Sequence, residues 1–499
     1  MTSRRFLIGV ACAGSLFALW LIFFHGDRKT QFGDFGIMYL QMTDVISTNY
    51  SSLAFQYHGA DIDPSGEFIP FRKPFIGKVQ QAYYIDFPPY FPVLNAPFYQ
   101  VLGTAGMYVP GFLSVVGTIF LLTLIGRRCG LNNWAISFSI PIYLIGTRVL
   151  LYNIVFHEYP IAIFLSTLSI YWLIRYVDHG AAIDLIRFGF VSAVALYFRL
   201  EVIFVTIGFG FAVLLADKAW FRIPGFSLIG FLIPFTVLLC LNTYIHGHPL
   251  GLRFALTLDE SANLSRLYII QETLFSKLRG LIPQSPFLLL AFISGLLEKR
   301  RVIRITWLGL CISTILILLT SPNHGDHMAP RYLFGLFPLA VVLSLKAVEA
   351  ILRFGIWPYR LAIVLLIVLF GYSARQTLNA FTFYSEVSEE VRNLNAFTSR
   401  HTQPVLVLRE YALSLNLQNS FGKRRVFLAD SDEGIERIQA LLRDHGIASF
   451  TVIGKNPGFK SGDTTESCGG TIDFKPNGFT PARVCATGKI YAAHMTRPQ

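Results

Sequence analysis

Residues 185–216 read LIRFGFVSAVALYFRLEVIFVTIGFGFAVLLA. Two apolar runs, 185–199 and 202–216, meet at Arg199-Leu200-Glu201. Read as one helix, the stretch would carry both charges to mid-membrane, where each costs about 2.5–3.5 kcal/mol. Read as two helices with the charges in the turn, it avoids that cost and adds a crossing. The choice fixes the side of the membrane on which every later segment emerges.

A span needs about 20 mostly apolar residues, within a range of roughly 17–25. With the pair split, the candidate spans are 6–24, 107–126, 134–152, 161–177, 185–199, 202–216, 225–245, 285–297, 305–320, 332–352 and 360–374. With Arg4 and Arg5 inside, alternation puts Arg127 and Arg128, Arg175 and Arg187, Lys218 and Arg222, Lys299 to Arg304, and Arg353 and Arg360 on the same side. Every inside loop is then basic, as the positive-inside rule requires. The expectation is an all-α polytopic membrane protein of about 11 spans, with a small C-terminal α/β extramembrane domain. Residues 1–374 form the membrane domain, with a long outer loop at 25–106, and 375–499 the extramembrane domain. Arg4 and Arg5 before an apolar run also suit a signal peptide, but 6–24 lacks a small-residue cleavage site and reads as a retained first helix.

Composition agrees. The chain has 499 residues, 53% hydrophobic and 14% charged, against about 25% charged in soluble domains. The net charge of +12 does not mark a nucleic-acid binder, because the basic residues sit in short clusters between apolar runs. Four cysteines, Cys12, Cys129, Cys240 and Cys311, lie in or beside apolar runs, while Cys468 and Cys485 lie in the polar tail. A disulfide between the last two is open and requires an oxidising compartment. No cysteine spacing resembles a zinc site. In the tail, Pro404–Leu408, Arg425–Ala429 and Ile447–Ile453 read as strands and Asp432–His445 as a helix, a strand–helix–strand pattern that suggests a parallel pair.

The outer segments hold the groups with chemistry. Asp34 follows the first span and opens a mixed apolar and polar stretch, 35–55, with the pattern of an interfacial helix. A carboxylate there could deprotonate a hydroxyl or hold a divalent ion, or simply cap a helix. Asp86 and Tyr90 stand in the proline- and aromatic-rich run Tyr83–Phe98, a rigid platform at headgroup level that reads as a wall for a sugar or as an ordinary aromatic belt. Glu158 beside His157 at the outer surface is either a second acid or a solvated turn. In the loop 322–332, His324, Asp326 and His327 have ligand chemistry, though three such residues do not by themselves make a metal site. Arg331, followed by Tyr332, could neutralise a phosphate or anchor a helix end.

These pieces in this order resemble the GT-C superfamily of polytopic glycosyltransferases, nearest the bacterial relatives of the protein O-mannosyltransferases and the lipid A aminoarabinose transferase. The resemblance rests on Gly33-Asp34, on Asp86-Phe87-Pro88-Pro89-Tyr90-Phe91-Pro92, on His157-Glu158-Tyr159-Pro160, on Arg199-Leu200-Glu201 and on Pro330-Arg331-Tyr332-Leu333, across about residues 1–375. It implies an acidic active-site residue at Asp34. Family members often carry a second acid next to it, where this chain has Phe35; Glu158 is the candidate replacement. It also implies a polyprenyl-phosphate sugar donor, with Arg331 and either His324 or His327 near its phosphate; His157, Tyr332, Asp86 and Tyr90 are further substrate-binding candidates. The acceptor is a lipid, glycan or protein, and the site faces the periplasm from the cell inner membrane. A divalent ion at His324 and His327 is the one cofactor such a site would take.

Three other readings use the same features. A transporter or flippase for lipid-linked sugars would place ionisable groups inside its spans and show repeated halves. The candidate spans are largely uncharged and no repeat is visible. A non-catalytic scaffold leaves the clustered outer polar groups without a task. An O-antigen polymerase-like enzyme would act through Arg and His of large outer loops, for which Arg253, Arg266 and His324 are available.

Overall fold

The structure is a computed structural model that describes residues 2–24, 33–50, 53–73, 75–216, 222–254, 265–321, 329–418, 420–455, 467–468, 479–487 and 490–497. The principal helices are α1 (Thr2–Phe23), α2 (Gly33–Thr48), α3 (Tyr90–Leu102), α4 (Val109–Arg128), α5 (Asn133–Gly146), α6 (Val149–Ile154), α7 (Tyr159–His179), α8 (Ala182–Ala195), α9 (Val202–Ala216), α10 (Arg222–His246), α11 (Arg266–Phe275), α12 (Arg301–Thr320), α13 (Phe337–Ile351), α14 (Ile356–Arg400) and α15 (Asp432–Asp444). Two compact units emerge, Met1–Gly26 with Pro97–Tyr384, and Asp27–Ala96 with Ser385–Gln499.

The first unit is a helical membrane domain. Among the described residues, seven helical runs are long and apolar enough to cross a membrane: Arg5–Phe23, Tyr90–Arg128, Tyr159–His179, Arg222–His246, Arg301–Thr320, Arg331–Phe354 and Ile356–Arg400. Shorter apolar helices cover Asn133–Gly146, Val202–Ala216 and Pro286–Leu297. The chain is therefore a multi-pass membrane protein, but not of eleven uniform spans. The expected span 134–152 breaks at Arg148, whose φ of 56° is left-handed, so α5 and α6 cannot be one helix. The expected span 285–297 is a 3-10 run, Pro286–Ile293, followed by a single helical turn. The turn at Arg199 and Glu201 is where the charges placed it, between the end of α8 at Ala195 and the start of α9 at Val202.

Local chemistry sets the helix ends. Asn132 caps α5 by accepting from the Ala135 N–H, and Pro160 opens α7, where a missing N–H costs no hydrogen bond. Buried hydroxyls return to their own helices: Thr118 donates to the Ser114 carbonyl and Thr167 to the Ile163 carbonyl. That satisfies them where no water reaches. Helices α8 and α10 cross at Gly189 and Gly230, and a Cβ on either would collide with the other helix's backbone, at Ser227 and Ile186. Small residues let helices approach this closely in a membrane.

The second unit joins the first outer loop to the tail. A hairpin, β1 (Ile76–Val79) with β2 (Ala82–Ile85), belongs to the loop. The tail sheet has strands β3 (Val405–Leu408), β4 (Arg425–Leu428), β5 (Ser449–Lys455), β6 (Ser467–Cys468), β7 (Thr480–Thr487) and β8 (Ile490–Thr496), in the order β4-β3-β5-β8-β7-β6. β4 and β5, joined through α15, both run parallel to β3 and lie on either side of it, and the rest of the sheet is antiparallel. Ser431 caps α15 by accepting from the Gly434 N–H. Cys485 is disulfide-bonded, and the strand register sets Cys468 opposite it.

The boundary expected after residue 374 falls inside α14, which continues to Arg400. The loop 27–96 also groups with the tail rather than with the membrane helices. The reason is a shared core: Ile62 and Phe68 of the loop are buried with Val405, Phe427 and Ile438 of the tail. Ion pairs of Asp61 with Arg425, Glu67 with Arg437 and Arg72 with Asp430 tie the same two segments.

Candidate active site

In the membrane unit, three chain segments build one ion cluster. α7 begins at Tyr159 with Pro160 in its first turn, and the chain turns just before it at 156–158, with Phe156 in a left-handed conformation. Glu158 emerges from that turn fully buried. Its Oε2 lies 2.6 Å from His157 Nδ1, and its Oε1 accepts from Arg199 Nη1 at 2.8 Å. Arg199 comes from the α8–α9 turn and also donates from Nε to Glu201 Oε1 at 2.7 Å. The third segment is the 3-10 run Arg331–Leu336 after Pro330, which carries Arg331 and Tyr332.

Aromatic rings enclose these charges. The Tyr159 ring stacks on His157 with centroids 4.4 Å apart, and the Arg199 guanidinium carbon lies 4.3 Å from the Tyr159 centroid. Arg331 lies over the Tyr332 ring at 5.4 Å. Cation–π contact of this kind gains strength as water is removed. Burial alone would raise the Glu158 carboxyl; His157 and the Arg199 guanidinium overcome it and hold the acid below the usual carboxylate range. Burial pushes His157 down to about 4, against the pull of Glu158. The cluster thus sets an acid that is held ionised among two guanidinium groups.

A cavity of about 10 Å³ opens beside the cluster, lined by Tyr159, Ser166, Arg199, Glu201, Arg331 and Tyr332. The Tyr159 and Ser166 hydroxyl oxygens are buried with no hydrogen-bond partner among the described residues. Guanidinium groups and free hydroxyls around a small space suit phosphate oxygens, which a planar guanidinium binds in pairs.

Asp34, Asp86 and Tyr90 belong to the second unit. Asp34 is the second residue of α2, and its side chain lies outside the described residues. Asp86 is buried, with its N–H donating to the Phe75 carbonyl at 3.0 Å, and Tyr90 begins α3. Tyr39 of α2 packs against Phe87 and Phe91, with centroids 5.3 and 4.9 Å away, so the helix of Asp34 and the proline-rich run adjoin. Phe87 and Phe91 are buried. Those two rings are core of this unit, not an exposed platform. His324 and His327 lie outside the described residues. Among the described residues, no group of three His, Cys, Asp or Glu side chains is placed to hold a metal ion.

The sequence thus singled out His157, Glu158, Arg331 and Tyr332, which the fold brings to one cluster. It did not assign site roles to Arg199, Glu201 or Tyr159, which complete it. The available signal was the Arg199-Leu200-Glu201 turn itself, two charges between two apolar runs.

No protein-family model matches the chain, and no curated protein does. Solved structures do. ArnT from Cupriavidus metallidurans bound to undecaprenyl phosphate aligns with a TM-score of 0.56 at 8% identity, over 98% of this chain and 97% of that one. The apo oligosaccharyltransferase of Archaeoglobus fulgidus aligns at 0.55 and 9% identity, over 89% and 69%. Arabinofuranosyltransferase AftD from Mycobacteria aligns at 0.53 and 13% identity, over 98% of this chain and 40% of that much longer one. At such identities the likeness is one of fold: the chain shares the fold of these three proteins.

Proposed function

We propose that this chain is a membrane glycosyltransferase that moves a sugar from a polyprenyl-phosphate donor to an acceptor hydroxyl on the periplasmic face of the inner membrane. The observation that carries the reading is the buried pair Arg199 and Arg331 at one cavity, in a chain that shares the fold of those three proteins. Undecaprenyl phosphate bound to ArnT, a protein of like fold, supports a lipid-phosphate donor. The basic inside loops support the orientation, with the tail periplasmic.

Asp34 accepts the proton of the acceptor hydroxyl as its oxygen attacks the anomeric carbon. The bond from that carbon to the phosphate oxygen breaks, and its electron pair leaves with the lipid phosphate on the opposite face. One displacement without an enzyme nucleophile inverts the configuration. Arg331, with Tyr332 beneath it, meets the charge that grows on the leaving phosphate, the point at which preorganised charge contributes most. Both Glu158 and Glu201 bond to Arg199. In this reading Glu158 acts by fixing Arg199 rather than as a second base. Asp86 and Tyr90 are further substrate-binding candidates. No step is assigned to a metal; His324 and His327 are the residues that would hold one, and loss of turnover on chelation, restored by a divalent ion in the wild type but not in His324→Ala or His327→Ala, would support that assignment.

The test is the full-length protein in bilayers with a panel of polyprenyl-phosphate sugars, wild type beside Asp34→Asn. Consumption of one donor by the wild type alone supports the reading and names the sugar. A folded protein that consumes none of a broad panel, yet moves a lipid-linked sugar across the bilayer, is a flippase instead.

A further inference from the structure

Asn395, near the end of α14, bonds to two residues of the tail. Its Nδ2 donates to the Asn416 carbonyl at 2.8 Å, and its Oδ1 accepts from the Gln418 N–H at 2.8 Å. Those same two residues are the ones on which α2 rests. Asn416 Oδ1 accepts from the Gly33 N–H at 3.3 Å, and the Gln418 carbonyl accepts from Gln41 Nε2 at 3.3 Å. Asn416 is itself oriented by donating from Nδ2 to the Ala412 carbonyl at 3.0 Å. One half-buried amide network therefore fixes the first and third turns of α2 from the tail.

The residue held is the one before Asp34. Gly33 has a φ of +73° and open space where a Cβ would stand, so the backbone angle and not crowding requires glycine. The first N–H groups of a helix have no partner within it, and a side chain from elsewhere that accepts one fixes where the helix begins. A shift of Gly33 moves Asp34 directly.

We propose that Asn395 and Asn416 are positioning residues that set Asp34 from the tail, so the C-terminal unit is part of the catalytic apparatus. The inference rests on the reading of Asp34 as the base. Displacement of a reacting group by about 1 Å can cost on the order of a hundredfold in rate.

The experiment measures kcat and KM for the polyprenyl-phosphate donor with full-length protein in bilayers. Asn395→Ala and Asn416→Ala should lower kcat by roughly tenfold or more, with KM for the donor unchanged. Asn416→Asp, which still offers an acceptor to Gly33, should recover most of the loss. Asn395→Ala should not lower the residual rate of Asp34→Asn further, a result that general loosening would not give. Wild-type kcat in both alanine variants, with Asp34→Asn inactive, overturns this inference and leaves the base intact. Full activity of Asp34→Asn overturns the base instead. Where the alanine variants do not fold, Asn395→Asp keeps the acceptor for Gln418 and loses the donor to Asn416; unchanged kcat there also overturns the proposal.

Discussion

Glu158 and Arg199, 41 residues apart in the chain, meet through a buried hydrogen bond of 2.8 Å. The pair joins the α6–α7 turn to the α8–α9 turn and holds together two loops that would otherwise depend on their flanking helices. Removing one partner of a buried ion pair leaves the other charge without compensation, at a cost of about 3–5 kcal/mol. Arg199→Ala, which strips fully buried Glu158 of its guanidinium partner, should therefore lower stability by that amount in denaturant titrations of the detergent-solubilised protein; in Glu158→Ala the Glu201 carboxylate still pairs Arg199, and the loss should be smaller. A change below about 1 kcal/mol in Arg199→Ala, the range of exposed pairs, would show that water reaches the pair.

Arg331 is assigned to the donor phosphate. Arg331→Lys keeps the charge but loses the planar, two-pronged donor geometry, and the two side chains are not interchangeable at such a site. The kcat/KM for the donor should fall about tenfold, or roughly 1.4 kcal/mol, and further in Arg331→Ala. An unchanged kcat/KM in both variants would take Arg331 out of the phosphate site.

His157 and Glu158 both bind protons less readily in the folded protein than their ordinary values allow. Protons therefore favour the unfolded state. The stability that His157 contributes is fully present above its ordinary value of 6.5 and is lost as pH falls through that value toward 4, while that of Glu158 is lost only below the ordinary carboxylate value of 4.5. Melting of the solubilised protein should be level from about pH 7 to 8 and decline below about 6.5, and His157→Asn should flatten the upper part of the decline. A His157 ring signal that titrates near 6.5 would contradict the assignment.

The chain has six cysteines, and Cys12, Cys129, Cys240 and Cys311 are free. Thiol labelling of the denatured protein should count four groups before reduction and six after. Protein purified from its membrane under non-reducing conditions that labels at all six sites would move the tail to a reducing compartment.

Much of this architecture could be read from residue order. The cost of charge in a bilayer places Arg199 and Glu201 in a turn, and they are in one. Amphipathic spacing predicts a helix from Asp432 to His445, and the helix ends at Asp444. What could not be read depends on contacts without local pattern. Ile62 and Phe68 lie in a loop with no periodicity, yet they enter the core of the tail. The break at Arg148 is a single backbone angle inside an apolar run. The site was half legible: His157, Glu158 and Arg331 stood out as polar groups at span ends, but nothing near Glu158 in the chain names Arg199 as its partner.

The amide network of α2 has a consequence in time. Gly33 and Asn416 are 383 residues apart, and at about 5–20 residues per second the ribosome needs roughly 20–80 seconds to pass from one to the other. Strand β8 follows the other strands of the tail sheet yet lies between β5 and β7, so the sheet cannot assemble before 490–496 has emerged. The membrane helices insert long before then. During that interval the nascent protein already sits among its lipids while the bond from Gly33 to Asn416 is still unmade.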